Sequence, residues 1–131
     1  MENCRRLGVT IVTPIEGDMR QIMAGEAGPR DQGIPAALSA VRSRPFDRIL
    51  LDAPCSGLGV LRRNPDAKWK LTPEAVDNLR AVQQDILQSY SPIVKSGGQM
   101  VYATCSILPS ENQEQVQKFL AGEAGKSFRL L

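Results

Sequence analysis

Phe46-Asp47-Arg48-Ile49-Leu50-Leu51-Asp52, followed by Ala53-Pro54-Cys55-Ser56-Gly57-Leu58-Gly59, is the stretch on which the fold turns. Its first seven residues form a short segment with the continuous apolar run Ile49-Leu50-Leu51, as in a strand buried within a parallel sheet. Its second seven, rich in Pro, Ser and Gly, read as a loop leaving that strand. Downstream, Thr72-Pro73-Glu74 combines an N-cap threonine, a proline at the first helical position and an acid in the first turn. Val76, Leu79, Val82, Ile86, Tyr90 and Ile93 then recur at steps of three or four, which predicts an amphipathic helix of about six turns. Ser96-Gly97-Gly98 is expected to end it, with Lys95 near its C-terminal dipole.

Gln99-Met100-Val101-Tyr102-Ala103-Thr104-Cys105 reads as another strand. Pro109-Ser110-Glu111-Asn112-Gln113 opens a second helix, with Ser110 and Gln113 spaced as a capping box. Val116, Phe119 and Leu120 mark its buried face, and Gly122 to Gly125 closes it. Ser127-Phe128-Arg129-Leu130-Leu131 predicts the opening of one more strand. Upstream, Val9 to Ile15 is β-branched and reads as a strand, with Pro14 suiting an edge or the strand's end. Residues 1–7 fit the last turn of a helix. Met19 to Pro45 carries little signal and is expected to be the most mobile stretch.

Strand, helix, strand, helix, strand is the order of an α/β protein with a parallel sheet. Ligands of such sheets sit at the carboxyl ends of the strands. Asp18, Asp52 and Cys105 each lie at a predicted strand's carboxyl end, and Cys55 lies just beyond Asp52. The polar and reactive residues therefore converge on one rim.

Composition narrows the chemistry that this rim can perform. The chain has 131 residues, 42% hydrophobic and 23% charged, with three cysteines and no histidine. That length suits one domain, which buries roughly two-thirds of its unfolded surface without a staple. The lack of histidine removes every imidazole base and most zinc sites. An odd cysteine count fits poorly with a secreted disulfide scaffold, which points to a reducing cytoplasm and free thiols. Net charge is +2, too small to argue for nucleic acid alone. No apolar run approaches the roughly 18 residues that span a membrane, and no metal site is expected. A cysteine at a strand end near a helix start can have a lowered pKa and act as a nucleophile. The competing reading is that a free cysteine is a small buried hydrophobe.

Asp52-Ala53-Pro54-Cys55-Ser56-Gly57 together with Tyr102-Ala103-Thr104-Cys105-Ser106 resembles the RNA cytosine-5 methyltransferases of the Nol/Nop/Sun family, above all the bacterial ribosomal RNA members of Sun or Fmu type. Phe46 to Leu51, Arg62 to Asp66 and Leu108 to Asn112 support the likeness, which is strong over residues 46 to 120 and looser over 1 to 18. The resemblance implies a Rossmann-like fold, S-adenosylmethionine as cofactor and ribosomal RNA as partner. It also implies that Cys105 adds to C6 of cytosine and that Cys55 assists product release. Asp52 would lie between cofactor and base, Pro54 beside the cofactor, and Asp18 at its adenine end.

Arg62-Arg63-Asn64-Pro65-Asp66-Ala67-Lys68-Trp69-Lys70 adds four positive charges and the only tryptophan. Arg62, Arg63, Lys68 and Lys70 are expected to meet RNA phosphates, with Arg42, Arg44 and Arg48 extending the patch. Trp69 is expected to fold onto the core as an anchor, in preference to stacking on a base.

The likeness has gaps. The family's glycine-rich cofactor loop, its first two strands and its N-terminal RNA-binding region have no counterpart here. The chain is thus expected to be an incomplete methyltransferase catalytic domain, residues 1–131, with little cofactor binding or activity by itself. The missing strands belong between the third and fourth of the family's sheet. Their loss is expected to expose Ile49 and Leu51, and to be met by direct pairing of 9–15, by dimerisation or by displacement of that segment. A non-catalytic RNA-binding module is the main alternative. A thiol redox protein is a third, disfavoured by the lack of Cys-x-x-Cys. Cys4 reads as an incidental thiol.

Overall fold

The computed structural model describes residues 6–12 and 45–131, and the chain divides into two compact units, Met1–Ser43 and Arg44–Leu131. In the first, Arg6 is helical and Leu7-Gly8 turn, with Gly8 at φ 66°. A left-handed glycine is a usual helix stop; residues 1–5 of the helical turn expected over 1–7 lie outside the described residues. Residues 9–12 form no strand. A β-segment needs a partner to persist, and among the described residues the one sheet has only two strands, neither of them this segment. The rest of the 9–15 strand, Cys4, Asp18, Arg42, Arg44 and the predicted loop up to residue 44 lie outside the described residues.

The second unit runs β1 (Phe46–Asp52), α1 (Ala67–Lys70), α2 (Pro73–Tyr90), β2 (Val94–Ala103) and α3 (Gln113–Ala121). β1 and β2 pair in parallel, with Ile49 opposite Met100, Leu51 opposite Tyr102 and Asp52 opposite Ala103. The α/β reading is therefore correct: α2 is the crossover between two parallel strands.

Thr72 caps α2 as predicted, its Oγ1 accepting the Ala75 N–H at 3.2 Å. The helix stops earlier than expected. Pro92 cannot continue it, and Ser91–Ile93 tightens into a 3₁₀ turn. β2 then starts at Val94, before the predicted Gly97-Gly98 stop. Between Phe46↔Val94 and Arg48↔Gln99, β2 spends more residues than β1. Gly97 sits in that irregularity at φ 77°, a conformation that costs glycine little. Lys95 consequently belongs to a strand rather than a helix end, and its ammonium donates to both Asp47 carboxylate oxygens at 2.9 Å. That contact is the main reason that the Asp47 carboxyl falls below its ordinary value.

Two further expectations fail locally. Ser110 does not cap α3: it lies in a 3₁₀ turn, Pro109–Glu111, and Asn112 precedes the helix. Residues 127–131 form no strand. Phe128 instead meets Phe119 edge to face, with ring centroids 5.4 Å apart.

Leu51, Leu87 and Phe119 form the buried core, with Ile49, Met100, Tyr102, Ile86 and Tyr90 packed around it. Leu51 is thus covered and Ile49 half-buried, because Leu87 of α2 and Phe119 of α3 pack on their face. The uncovered side chains point the other way: Leu50, between Ile49 and Leu51 in the pleat, is 69% exposed, and Val101, opposite it on β2, 54%. Alternation along each strand makes this unavoidable once one face is buried.

Leu87→Ala should lower the unfolding free energy by about 2–5 kcal/mol, as for a buried leucine. Leu50→Ala should change it by no more than about 0.5 kcal/mol, as for an exposed residue. Chemical denaturation of the two variants measures both values. Equal losses would show that the Leu50 face is packed in solution.

Candidate active site

Parallel pairing carries both strand ends to the same edge. Ala53 N–H donates to Ala103 O at 2.9 Å, so the ladder continues one step past β1. Beyond that point the two loops diverge from sheet geometry and bring their cysteines together. The Sγ atoms of Cys55 and Cys105 lie 3.2 Å apart, both as free thiols. The Cys105 N–H donates to Cys55 Sγ at 3.3 Å. Cys55 is half-buried and Cys105 exposed, so a ligand can approach Cys105 from solvent.

This pairing reverses one expectation. The Cys105 thiol is pushed above its ordinary pKa, first by its hydrogen bond with Cys55, then by desolvation and by the charges of Cys55 and Asp52. Strand-end position alone would suggest a lowered value. The adjacent Cys55 sulfur and the Asp52 carboxylate oppose it, because each disfavours another negative charge.

The loops owe their placement to side chains that sequence reading passes over. Glu111 has no solvent exposure. Its Oε1 accepts the Ser56 N–H at 2.8 Å and Gln83 Nε2 at 3.1 Å. Its Oε2 accepts the hydroxyls of Ser56 and Ser106, each at 2.5 Å. Burial pushes the Glu111 carboxyl up, but the donors from Ser106, Ser56 and Gln83 outweigh it. The group lies below its ordinary value and is ionised at neutral pH. Gln83 also donates to Pro54 O at 2.9 Å. The Tyr102 hydroxyl donates to Glu111 O at 2.9 Å, and burial is the chief reason its own pKa is raised.

Asn112 secures the other side of the second loop. Its Nδ2 donates to Ser106 O and Leu108 O, each at 2.9 Å, while Thr104 Oγ1 donates to its Oδ1 at 2.6 Å. Gly59 joins the loops by backbone, its N–H donating to Cys105 O at 2.8 Å. A Cβ on Gly59 would stand 2.7 Å from that oxygen, so only glycine allows the approach.

Asp52 ends β1 with an exposed side chain, and Pro54 is exposed beside it. Arg62, Arg63, Lys68 and Lys70 are all exposed; the lysines lie on α1 and the arginines in the turn before it. Lys70 lies 3.9 Å from Asp66. Trp69 corrects its expectation: it is 81% exposed, with the Lys68 ammonium 4.8 Å from its ring centroid. A helix of four residues offers too little turn to carry the indole back to the core, and the flanking lysines hold that face to solvent. Gln83, which joins the Glu111 cluster, and Gln84, which donates to Gln115, are the detectable signals of buried polar contacts. They interrupt the apolar stripe of α2 between Leu79 and Ile86, where an amphipathic helix places its core side. Among the described residues no group of acids and thiols is arranged to hold a metal, and no helix is long and apolar enough to cross a membrane.

The family model described as 16S rRNA methyltransferase RsmB/F matches residues 1–129. The chain is similar to the "Probable ribosomal RNA small subunit methyltransferase B" of Synechocystis sp., with 42% identity over 116 residues, 88% of this chain and 23% of that protein. It is similar to the "Ribosomal RNA small subunit methyltransferase B" of Serratia proteamaculans, with 58% identity over 79 residues, 60% of this chain and 18% of that protein. Among solved structures, "Crystal Structure of PH0851" superposes with a TM-score of 0.68 at 32% identity, covering 91% of this chain and 24% of that one. The chain therefore spans about a fifth of the length of the curated relatives it matches. The structural match agrees with a partial Rossmann-like methyltransferase fold.

Cys55→Ala removes the hydrogen bond that is the main cause of the raised Cys105 pKa, so the Cys105 thiol should fall towards its ordinary value. More thiolate is then present at any pH below that value. Alkylation of Cys105 by iodoacetamide, followed by peptide mass mapping across pH, should run faster in the variant, its profile shifted to lower pH. An unchanged or slower profile would mean that Cys55 does not hold the proton on Cys105.

Proposed function

Because the chain belongs to the family of 16S rRNA methyltransferases RsmB/F, we propose that it carries the thiol-bearing part of an active site that methylates carbon 5 of a cytosine in ribosomal RNA. The carrying observation is the 3.2 Å approach of two free thiols, one of them exposed, at the carboxyl edge of a parallel sheet.

Cytosine C5 is a poor nucleophile. Addition of the Cys105 thiolate to C6 forms a C–S bond and moves electron density onto C5, as nucleophilic catalysis requires. S-adenosylmethionine, when bound, would supply its electrophilic methyl group to C5, the S–CH3 bond breaking as the C5–CH3 bond forms and S-adenosylhomocysteine leaving. Loss of the C5 proton then restores the ring double bond, breaks the C–S bond and returns Cys105 as thiolate. Cys55, in contact with Cys105, assists that release. The raised Cys105 pKa makes adduct formation climb with pH, because only the thiolate adds.

The described residues fit one edge of the cofactor. The exposed Asp52 carboxylate can accept from a hydroxyl or amine, and Pro54 offers an apolar contact beside it. Asp18 is the expected acceptor for the adenine amine. Arg62, Arg63, Lys68 and Lys70 neutralise RNA phosphates. Trp69, exposed between two lysines, is a face on which an unpaired base can stack.

The test uses the full-length protein with RNA containing 5-fluorocytosine and S-adenosylmethionine, read on denaturing gels. The unmodified protein should form a covalent adduct, and Cys105→Ala should form none. On unmodified RNA, Cys55→Ala should accumulate a covalent complex. A Cys105→Ala protein that retains full activity would overturn the role assignment, and the lack of any wild-type adduct would favour a non-catalytic RNA-binding module. Trp69→Ala should weaken binding to single-stranded RNA by about 1–3 kcal/mol, the usual worth of one stacked base. A binding titration that shows no change would remove Trp69 from the RNA face.

A further inference from the structure

Each cysteine lies on a loop that has left the sheet, and the two are separated by fifty positions in sequence. Nothing in the strand ladder fixes the distance between such loops. Yet the sulfurs stand in contact, and the residue immediately after each cysteine points its hydroxyl at the same buried oxygen. We propose that Glu111 is a positioning residue for the thiol pair: one carboxylate ties the Cys55 loop and the Cys105 loop to each other and both, through Gln83, to α2.

The argument is geometric. A carboxylate presents about four acceptor directions, and here four donor contacts meet it. Two come from Ser56, one from Ser106 and one from Gln83. Hydrogen bonds to an ionised acceptor are shorter and stronger than neutral ones. The two serine hydroxyls also lie 3.1 Å apart, so the loops touch at the point where the carboxylate holds them. No cation pairs with Glu111 among the described residues. Among the described residues these donors balance its charge, and losing one leaves a buried charge less satisfied. Glu111 is too enclosed to touch a substrate itself; it acts through the cysteines.

This assignment rests on the reading of Cys105 as the nucleophile, so the test needs one readout that depends on that reading and one that does not. Glu111→Gln keeps the side-chain shape but turns one acceptor oxygen into a donor. In the full-length protein it should lower kcat for RNA methylation by about a hundredfold, the scale of a displacement near 1 Å at reacting groups, with KM for RNA unchanged. The independent readout is intramolecular disulfide formation with oxidised glutathione, followed by mass. One cysteine displaces a glutathione thiolate to give a mixed disulfide, and the other displaces the second. The pair loses two protons and two electrons, and two reduced glutathiones are released. This closure should be slower in Glu111→Gln, because the sulfurs are no longer held in contact.

Ser106→Ala and Ser56→Ala supply the second arm if Glu111→Gln does not fold. Each should lower kcat and slow closure, and together their effects should fall short of additivity, as for parts of one network. A folded Glu111→Gln protein with wild-type kcat and wild-type closure overturns the inference, as do additive serine effects. Slower closure in a protein whose wild type forms no RNA adduct upholds the positioning role and overturns the nucleophile reading instead.

Discussion

A buried carboxylate surrounded by four hydrogen-bond donors is the constraint from which the candidate site follows. Burying an ionised group is costly unless every oxygen is satisfied, and Glu111 meets that condition with hydroxyls, a backbone N–H and an amide. The donors come from three separate places along the chain: the loop after β1, the loop after β2 and the middle of α2. Satisfying one charge therefore fixes three segments together. The parallel sheet delivers the two loops to one edge, and the carboxylate sets their spacing there.

The electrostatics at that edge oppose easy ionisation. Cys105 has a sulfur neighbour and the Asp52 carboxylate nearby, and its thiol is held up as a result. A resting site that keeps its exposed thiol protonated is less open to stray oxidation and alkylation, since the thiolate is the reactive form. The same arrangement ties reactivity to whatever changes around the pair when a ligand arrives.

Much of this was legible in the sequence, for physical reasons that differ from residue to residue. The seven residues from Phe46 to Asp52 read as a parallel strand, which they are, but not as one buried on both faces: Leu51 is covered while Leu50 faces out. Thr72-Pro73-Glu74 marked a helix start because cap, ring and dipole chemistry are local. The convergence of Asp52, Cys55 and Cys105 followed from topology. What failed was decided by longer-range contacts. Ser110 has capping-box spacing, but the chain there is a 3₁₀ turn that aims Glu111 inwards. Phe128 has strand-like neighbours, but it completes the core against Phe119. Trp69 looked like an anchor because large aromatics usually bury, yet its short helix keeps it in solvent. The Glu111 cluster was hidden because serine, glutamine and glutamate are ordinary surface residues until a fold encloses them. Only Gln83, polar on an apolar stripe, hinted at it; its neighbour Gln84 is buried against Gln115 instead.

Gly59 adds a restriction of another kind. Its N–H and its bare α-carbon both lie against the Cys105 carbonyl, while Ser56, three residues earlier, is fastened to Glu111. The loop from Ser56 to Gly59 is therefore clamped at both ends against the second loop. A chain clamped at two points cannot absorb an inserted or deleted residue between them without releasing one. The spacing between Ser56 and Gly59 is thus as much a part of the site as any of its side chains.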